Sequence, residues 1–382
     1  MKKSKRIISN VLVFVLVIGM IFATGCSKKN EASTAGSLVV TVGDNKVYMD
    51  EMMYYIYAME ANANQYEQLY QQYYGTSYWD MEVEKGVTVR DQMKTYVMDT
   101  AVMYTILYNK AVAEGYKLTE EEKTTAKTNA ESLLSQISDE QLKLTGFTNE
   151  NLIAVQEKLA LGERYYNDLI ESFDIDDQAI TDSVSKDDNR QYNTEFLTIP
   201  TVTYDKEYKQ VPLSDKELTK AKEAMTSALE KAKSGEAFAD IAKELTTDSL
   251  TITNSTLNFV KDDGNAEAKY QEAALKLKKD ALTEGIVETD TAYYVIKMVD
   301  DNSTESYDAA VQKAITDAEN EAFTKKYDEI KKDYTVTENA EVWGKIVMGK
   351  TTLVEATTTP AATTAPETTT TPEATTTPEP TK

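Results

Sequence analysis

Apolar side chains in this chain keep helical spacing from residue 49 to about residue 186, and only then give way to two-residue alternation. Such a chain must fold as a helical region followed by a mixed one. A period of 3.6 buries one stripe of a helix, whereas a period of 2 buries one face of a strand. Local punctuation agrees. Leu38-Val39-Val40-Thr41-Val42, then Gly43-Asp44-Asn45, then Lys46-Val47-Tyr48 read as a small hairpin. Met49, Met52, Met53, Ile56 and Met59 recur on one face of the helix that follows. Thr88 with Asp91, Thr119 with Glu122 and Ser138 with Gln141 have the spacing that caps a helix N-terminus, and Gly115 stands where a helix should stop. A further helix carries Leu152, Val155, Leu159, Leu161, Tyr165 and Leu169.

In the second half, Tyr192 to Ile199 alternates as a strand. Ser214 with Glu217 caps a helix whose apolar face holds Leu218, Ala221, Met225, Ala228 and Leu229, and Gly235 ends it. Phe238, Ile241, Ala242 and Leu245 mark a shorter helix. Leu257 to Val260 reads as a strand, Tyr270 to Leu277 as a helix and Tyr293 to Met298 as a closing strand. A last helix runs from Tyr307 to Ile330, and its apolar stripe needs a partner. Val336, Val342 and Trp343 are expected to finish the helical domain.

The ends differ in kind. Residues 1–25 combine Lys2, Lys3, Lys5 and Arg6, an apolar run from Val11 to Phe22, and Ala23-Thr24-Gly25 before Cys26. These are the three parts of a secretory signal peptide. Cys26 is the only cysteine, so no internal disulfide is available and stability must come from the core. Residues 26–37 read as a tether. Residues 351–382 are mostly Thr, Pro, Ala and Glu, a composition too poor in apolar side chains to fold.

Net charge is −23, and removing residues 1–25 with their four basic side chains would take it to −27. So acidic a chain is a poor ligand for nucleic acid. There is no histidine, which excludes Ser-His triads, histidine metal sites and imidazole acid–base catalysis. No metal cluster, phosphate loop or nucleophile motif stands out, and no cofactor is expected. Asp187-Asp188 and Asp262-Asp263 read as solvated turns.

Several segments resemble known families. Thr24-Gly25-Cys26 resembles the bacterial lipobox, although Ala23 stands where leucine is usual; the resemblance implies lipidation of Cys26 and anchoring on the extracytoplasmic face of a cell membrane. Gly86 through Thr119, with its Lys110-Ala111…Gly115…Leu118-Thr119 stop, resembles the N-terminal chaperone domain of the PrsA and SurA foldases. Lys233 through Glu244, Thr247-Asp248-Ser249 and Ala273-Ala274-Leu275-Lys276-Leu277 resemble the parvulin-type isomerase domain of those proteins. The resemblance implies an α+β fold. A mostly helical chaperone domain, built from residues 38–186 and 302–350, would carry an inserted parvulin-like domain at 187–301, a four-stranded antiparallel sheet wrapped by helices.

Parvulins isomerise X–Pro bonds against a barrier of about 20 kcal/mol. Carried over position by position, the resemblance puts Glu195 and Tyr294 where two catalytic histidines usually stand. It puts Asp248 at the Cys/Asp position, Asn254-Ser255-Thr256 at the family's glycine-rich turn, and Leu257, Ala266 and Tyr270 at the Leu, Met and Phe of the proline cup. On this reading Glu195 faces Asp248, and Tyr294 donates a hydrogen bond to Glu195. The implied function is a membrane-anchored foldase for newly exported polypeptides, with weak or absent isomerase activity. Two alternatives stay open: an active isomerase with a histidine-free site, and a solute-binding lipoprotein. Homodimerisation also stays open. Tyr54, Tyr55, Tyr57, Tyr66, Tyr70, Tyr73, Tyr74 and Tyr78 crowd one stretch, either as core plus amphipathic surface or as a surface for clients.

Overall fold

A computed structural model describes residues 36–353. The signal segment, Cys26 and most of the Thr/Pro-rich segment lie outside the described residues. The chain opens with a hairpin, β1 (Leu38–Val42) and β2 (Asn45–Tyr48), and continues into α1 (Met49–Tyr74). A short ribbon, β3 (Glu82–Glu84) and β4 (Val87–Thr88), precedes α2 (Val89–Ala113), α3 (Glu120–Gln136), α4 (Asp139–Thr145) and α5 (Asn149–Ser172). Next come α6 (Asp177–Ser183), the long strand β5 (Gln191–Pro200), a small hairpin of β6 (Val202–Tyr204) and β7 (Gln210–Pro212), α7 (Asp215–Lys233) and α8 (Phe238–Leu245). The chain then forms β8 (Thr253–Val260), α9 (Ala268–Ala274), β9 (Val287–Glu288), β10 (Ala292–Ser303), α10 (Glu305–Lys331), β11 (Val336–Glu338) and α11 (Ala340–Trp343). The fold is α+β, as expected.

All four capping boxes form. Thr88, Thr119, Ser138 and Ser214 each accept from the backbone N–H three residues on, and Asp91, Glu122, Gln141 and Glu217 reach back to the capping residue. Each box satisfies two of the N–H groups that a helix start leaves without partners.

Residues 36–168 and 328–353 form one compact unit, and residues 169–327 form the other. In the helical unit, β11 pairs antiparallel with β1, Val42 opposite Val336. Trp343 is buried behind it, while Val336 stays exposed. The expected unstructured tail at 351–382 begins too early, because Thr352 is fully buried. The carboxylate of Glu60 on α1 accepts from the backbone N–H of Gly349 (2.6 Å), Thr351 (3.1 Å) and Thr352 (2.6 Å), and from the Thr352 hydroxyl (2.5 Å). Burial pushes the Glu60 carboxyl above its ordinary range, and these donors offset the rise only in part. Gly349 has φ +82°, and a Cβ there would come within 2.6 Å of the Trp79 ring. Only glycine fits both conditions. The composition of the segment hides this clasp, since its donors are mostly backbone.

The tyrosine-rich stretch divides. Tyr54, Tyr55 and Tyr57 are core, while Tyr66, Tyr73 and Tyr74 on the later turns of α1 are half or more exposed. Tyr78 stacks on Tyr66 with ring centroids 5.5 Å apart.

The other unit is built on a four-stranded antiparallel sheet of order β8-β5-β10-β9. One face packs Leu197, Ile199 and Val295 against Ala221, Met225, Leu229 and Ala232 of α7 and Phe238 and Ile241 of α8. The other face packs against α9 through Tyr270 and Ala274. One expectation fails here. Asn254-Ser255-Thr256 is strand, not turn: these residues pair with Leu197, Phe196 and Glu195, so β8 starts at Thr253.

Candidate functional site

The sheet register decides which side chains meet. Cross-strand partners share a face, and successive residues on one strand do not. Tyr294 lies opposite Thr198, Ile296 opposite Phe196, and Met298 opposite Thr194. On the other edge of β5, Thr194 lies opposite Leu257 and Tyr192 opposite Phe259. These residues make the face covered by α9. Glu195 lies opposite Lys297 and Thr256, so it shares the helix-packed face with Leu197 and Ile199.

Of the expected site residues, the structure brings four together. Tyr270 is 2% exposed, and Leu257, Ala266 and Tyr294 are partly buried around it. Phe196, Tyr270 and Tyr294 form a triangle of edge-on rings, with centroids 5.8, 5.5 and 5.0 Å apart. Such T-shaped pairs add about 0.5–1.5 kcal/mol each beyond the area they bury. Phe259 closes on Tyr270 at 6.3 Å and carries Tyr192 stacked on its far side.

A short polar relay runs through this aromatic face. The Thr194 hydroxyl donates to the Leu257 carbonyl at 2.7 Å. A hydroxyl has one proton to give, so the Tyr270 phenol, 2.8 Å away, is the donor to Thr194. Burial keeps the Tyr270 phenol protonated well above its ordinary pKa, and the Thr194 contact only partly offsets this. Burial also raises the Tyr294 phenol, with the neighbouring Glu267 carboxylate adding to the rise and the Thr198 hydroxyl opposing it. The Thr198 hydroxyl is buried without a hydrogen-bond partner. At neutral pH Tyr270 and Tyr294 are therefore uncharged, and together with Thr194 and Thr198 they place neutral donors and acceptors on an apolar face.

Two expected contacts are corrected. Glu195 does not meet Tyr294, because the two stand on opposite faces of the sheet; its carboxylate accepts from the Asn254 side chain at 3.1 Å. Nor does Asp248 join the cup. It sits exposed in a tight turn closed by Thr247 and Leu250. The residues that sequence reasoning missed are Phe196, which takes the place beside Tyr294, and Thr194 and Thr198. Parity along β5 was the available signal: Leu197 and Ile199 pack on the helices, so 194, 196 and 198 must face the other way.

The four-stranded antiparallel sheet, with helices on both faces and an aromatic cup on one, is the arrangement that the resemblance to parvulins implies. Residues 203–300 match the rotamase family, described as the PPIC-type PPIase domain. The match begins after β5, so the placement of residues 194–198 rests on the strand register. Among relatives, a stretch of 102 residues (27% of this chain) is 39% identical to the foldase protein PrsA 1 of Listeria innocua serovar 6a, covering 32% of that protein. The corresponding protein of Listeria monocytogenes serotype 4b is 37% identical over 102 residues, again 32% of its length. The chain thus matches about a third of the length of these curated relatives. Among solved structures, one of two SurA-like chaperones of Campylobacter jejuni aligns over 79% of this chain and 99% of its own, with 10% identity and a TM-score of 0.30. PrsA from Bacillus subtilis aligns over 64% and 86%, with 18% identity and a TM-score of 0.22.

Proposed function

We propose that this chain is an extracytoplasmic foldase that holds newly exported polypeptides, and that its parvulin-like domain binds them with little or no isomerase activity. The observation that carries this reading is the cup face itself. Above a buried floor of Phe259 and Tyr270 it leaves Phe196, Leu257, Ala266 and the neutral Tyr294 phenol partly exposed. Such a face can desolvate and stack on an apolar segment. It offers no imidazole to its ligand. The PrsA relatives are named foldases, which supports the same reading.

The proposed organisation is a signal peptide at 1–25, a tether from a lipid-modified Cys26 to residue 37, a helical domain at 38–186 completed by 302–350, and the parvulin-like domain at 187–301. No helix among the described residues is long and apolar enough to cross a membrane. Anchoring is assigned to the lipid at Cys26, and a Cys26→Ala chain is expected in the medium rather than the membrane fraction. The foldase reading is tested by aggregation of a chemically denatured protein diluted into buffer. Stoichiometric amounts of this chain should suppress the light scattering, and no suppression at tenfold excess would overturn the reading.

A further inference from the structure

The helical unit holds a cleft of about 350 Å³ between α1, α2, α3 and α5. That is within the size range of small-ligand pockets. Its floor is aromatic and aliphatic. Tyr54 and Tyr55 of α1 contribute edge-on rings 5.7 Å apart, Tyr104 of α2 lies beside them, and Leu159 of α5 completes the floor. Gln156 fixes part of the wall by donating to the Tyr54 hydroxyl at 2.9 Å. Tyr55 is only 3% exposed, and its hydroxyl is buried without a hydrogen-bond partner.

The rim is acidic. Glu121, Glu122 and Glu163 line the cleft, and no lysine or arginine does. Glu122 is already committed: it caps the Thr119 N–H at 2.7 Å and pairs with Arg164 at 3.3 Å. The neighbouring lysines are committed too. Lys123 pairs with Glu120, Lys127 with Glu131, and Lys158 with Glu51. Among the described residues no cation pairs with Glu121 or Glu163. The cleft therefore presents two uncompensated carboxylates above a floor of phenol rings. No group of acidic side chains among the described residues has the arrangement to hold a metal ion, which points to an organic cation.

We propose that this cleft binds a basic side chain, lysine or arginine, of an unfolded polypeptide. The aliphatic stem lies on the rings of Tyr54, Tyr55 and Tyr104, and the charge points to Glu121 and Glu163. A cation over an aromatic face gains from the ring quadrupole as well as from the carboxylates, and an apolar stem covers the floor. The proposal rests on the foldase reading for the source of that side chain.

Fluorescence anisotropy of the full chain tests it, using a labelled peptide of alternating alanine and lysine. The comparison peptide carries norleucine, which keeps the stem and removes the charge. The lysine peptide should bind at least tenfold tighter at low salt. Glu121→Gln with Glu163→Gln should erase most of that preference; among the described residues neither side chain makes a hydrogen bond that the fold needs. Glu84→Gln with Glu150→Gln removes the same charge from exposed sites elsewhere in the unit and should leave the preference intact. Equal loss in both double variants would mean only general attraction to an acidic protein, and would overturn the proposal. So would equal binding of the two peptides. A chain that suppresses aggregation yet shows no lysine preference loses this proposal alone; one that does neither loses the foldase reading as well.

Discussion

The two faces of the four-stranded sheet are built on different terms. The face under α7 and α8 is held by aliphatic burial: Leu197, Val295, Met225 and Ile241 are all completely buried. The face under α9 is held by rings and by the hydrogen-bond relay through Thr194. The first needs only volume to be conserved. The second also needs the Thr194–Tyr270 hydroxyl pair to stay together, because a buried donor or acceptor left alone costs about 1–3 kcal/mol. A parvulin-like scaffold can thus keep its fold through one face while the other changes its chemistry.

The comparison can be broken at several points. Tyr270→Ala should have the largest effect, a loss of about 3–5 kcal/mol, since it removes the most buried corner of the aromatic triangle and leaves a ring-sized cavity. Chemical denaturation measures it; a loss under about 1 kcal/mol would mean the triangle does not hold that face. Ile241→Ala should cost about 2–5 kcal/mol by cavity formation on the opposite face, while leaving peptide binding below the transition unchanged. Thr194→Val should cost about 1–3 kcal/mol, because it keeps the shape but orphans the Tyr270 hydroxyl.

Alkaline pH sharpens the same contrast. Tyr270 and Tyr294 have folded pKa values raised above the ordinary phenol value of 10.0, both chiefly by burial. Above about pH 10 the unfolded chain loses these protons first, so the unfolded state binds fewer of them. Stability contributed by the two phenols is full below about pH 10 and falls as pH rises beyond it. Tyr270→Phe should flatten that fall in a denaturation series from about pH 9 to about pH 11, and Ile241→Ala should not. The smallest effect is expected for Glu195→Gln, within about 0.5 kcal/mol, because the carboxylate lies on the helix-packed face and holds only Asn254.

Much of the fold was legible in the sequence because its signals are local. The four capping boxes, the hairpin at Gly43 and the apolar stripes of α1, α5 and α7 each lie within a few residues of one another. The site was less legible. Tyr270, Leu257 and Ala266 could be placed by counting along a resembled pattern, and they do gather around one cup. Glu195 could not, since a shift of one residue moves a side chain to the other face of the sheet. The Glu60 clasp was hidden for a different reason. Its partners are mostly backbone N–H groups from the far end of the chain, and no side-chain pattern announces them.

The central claim is that the cup face binds polypeptide without catalysing rotation about X–Pro bonds. Its most direct test is a proline-peptide isomerisation assay on the full chain, run beside the aggregation assay. The expected result is no acceleration beyond the uncatalysed rate in samples that do suppress aggregation. Robust catalysis that disappears with Asp248→Ala would contradict the account, because it would require the exposed turn at Asp248 to close on the cup.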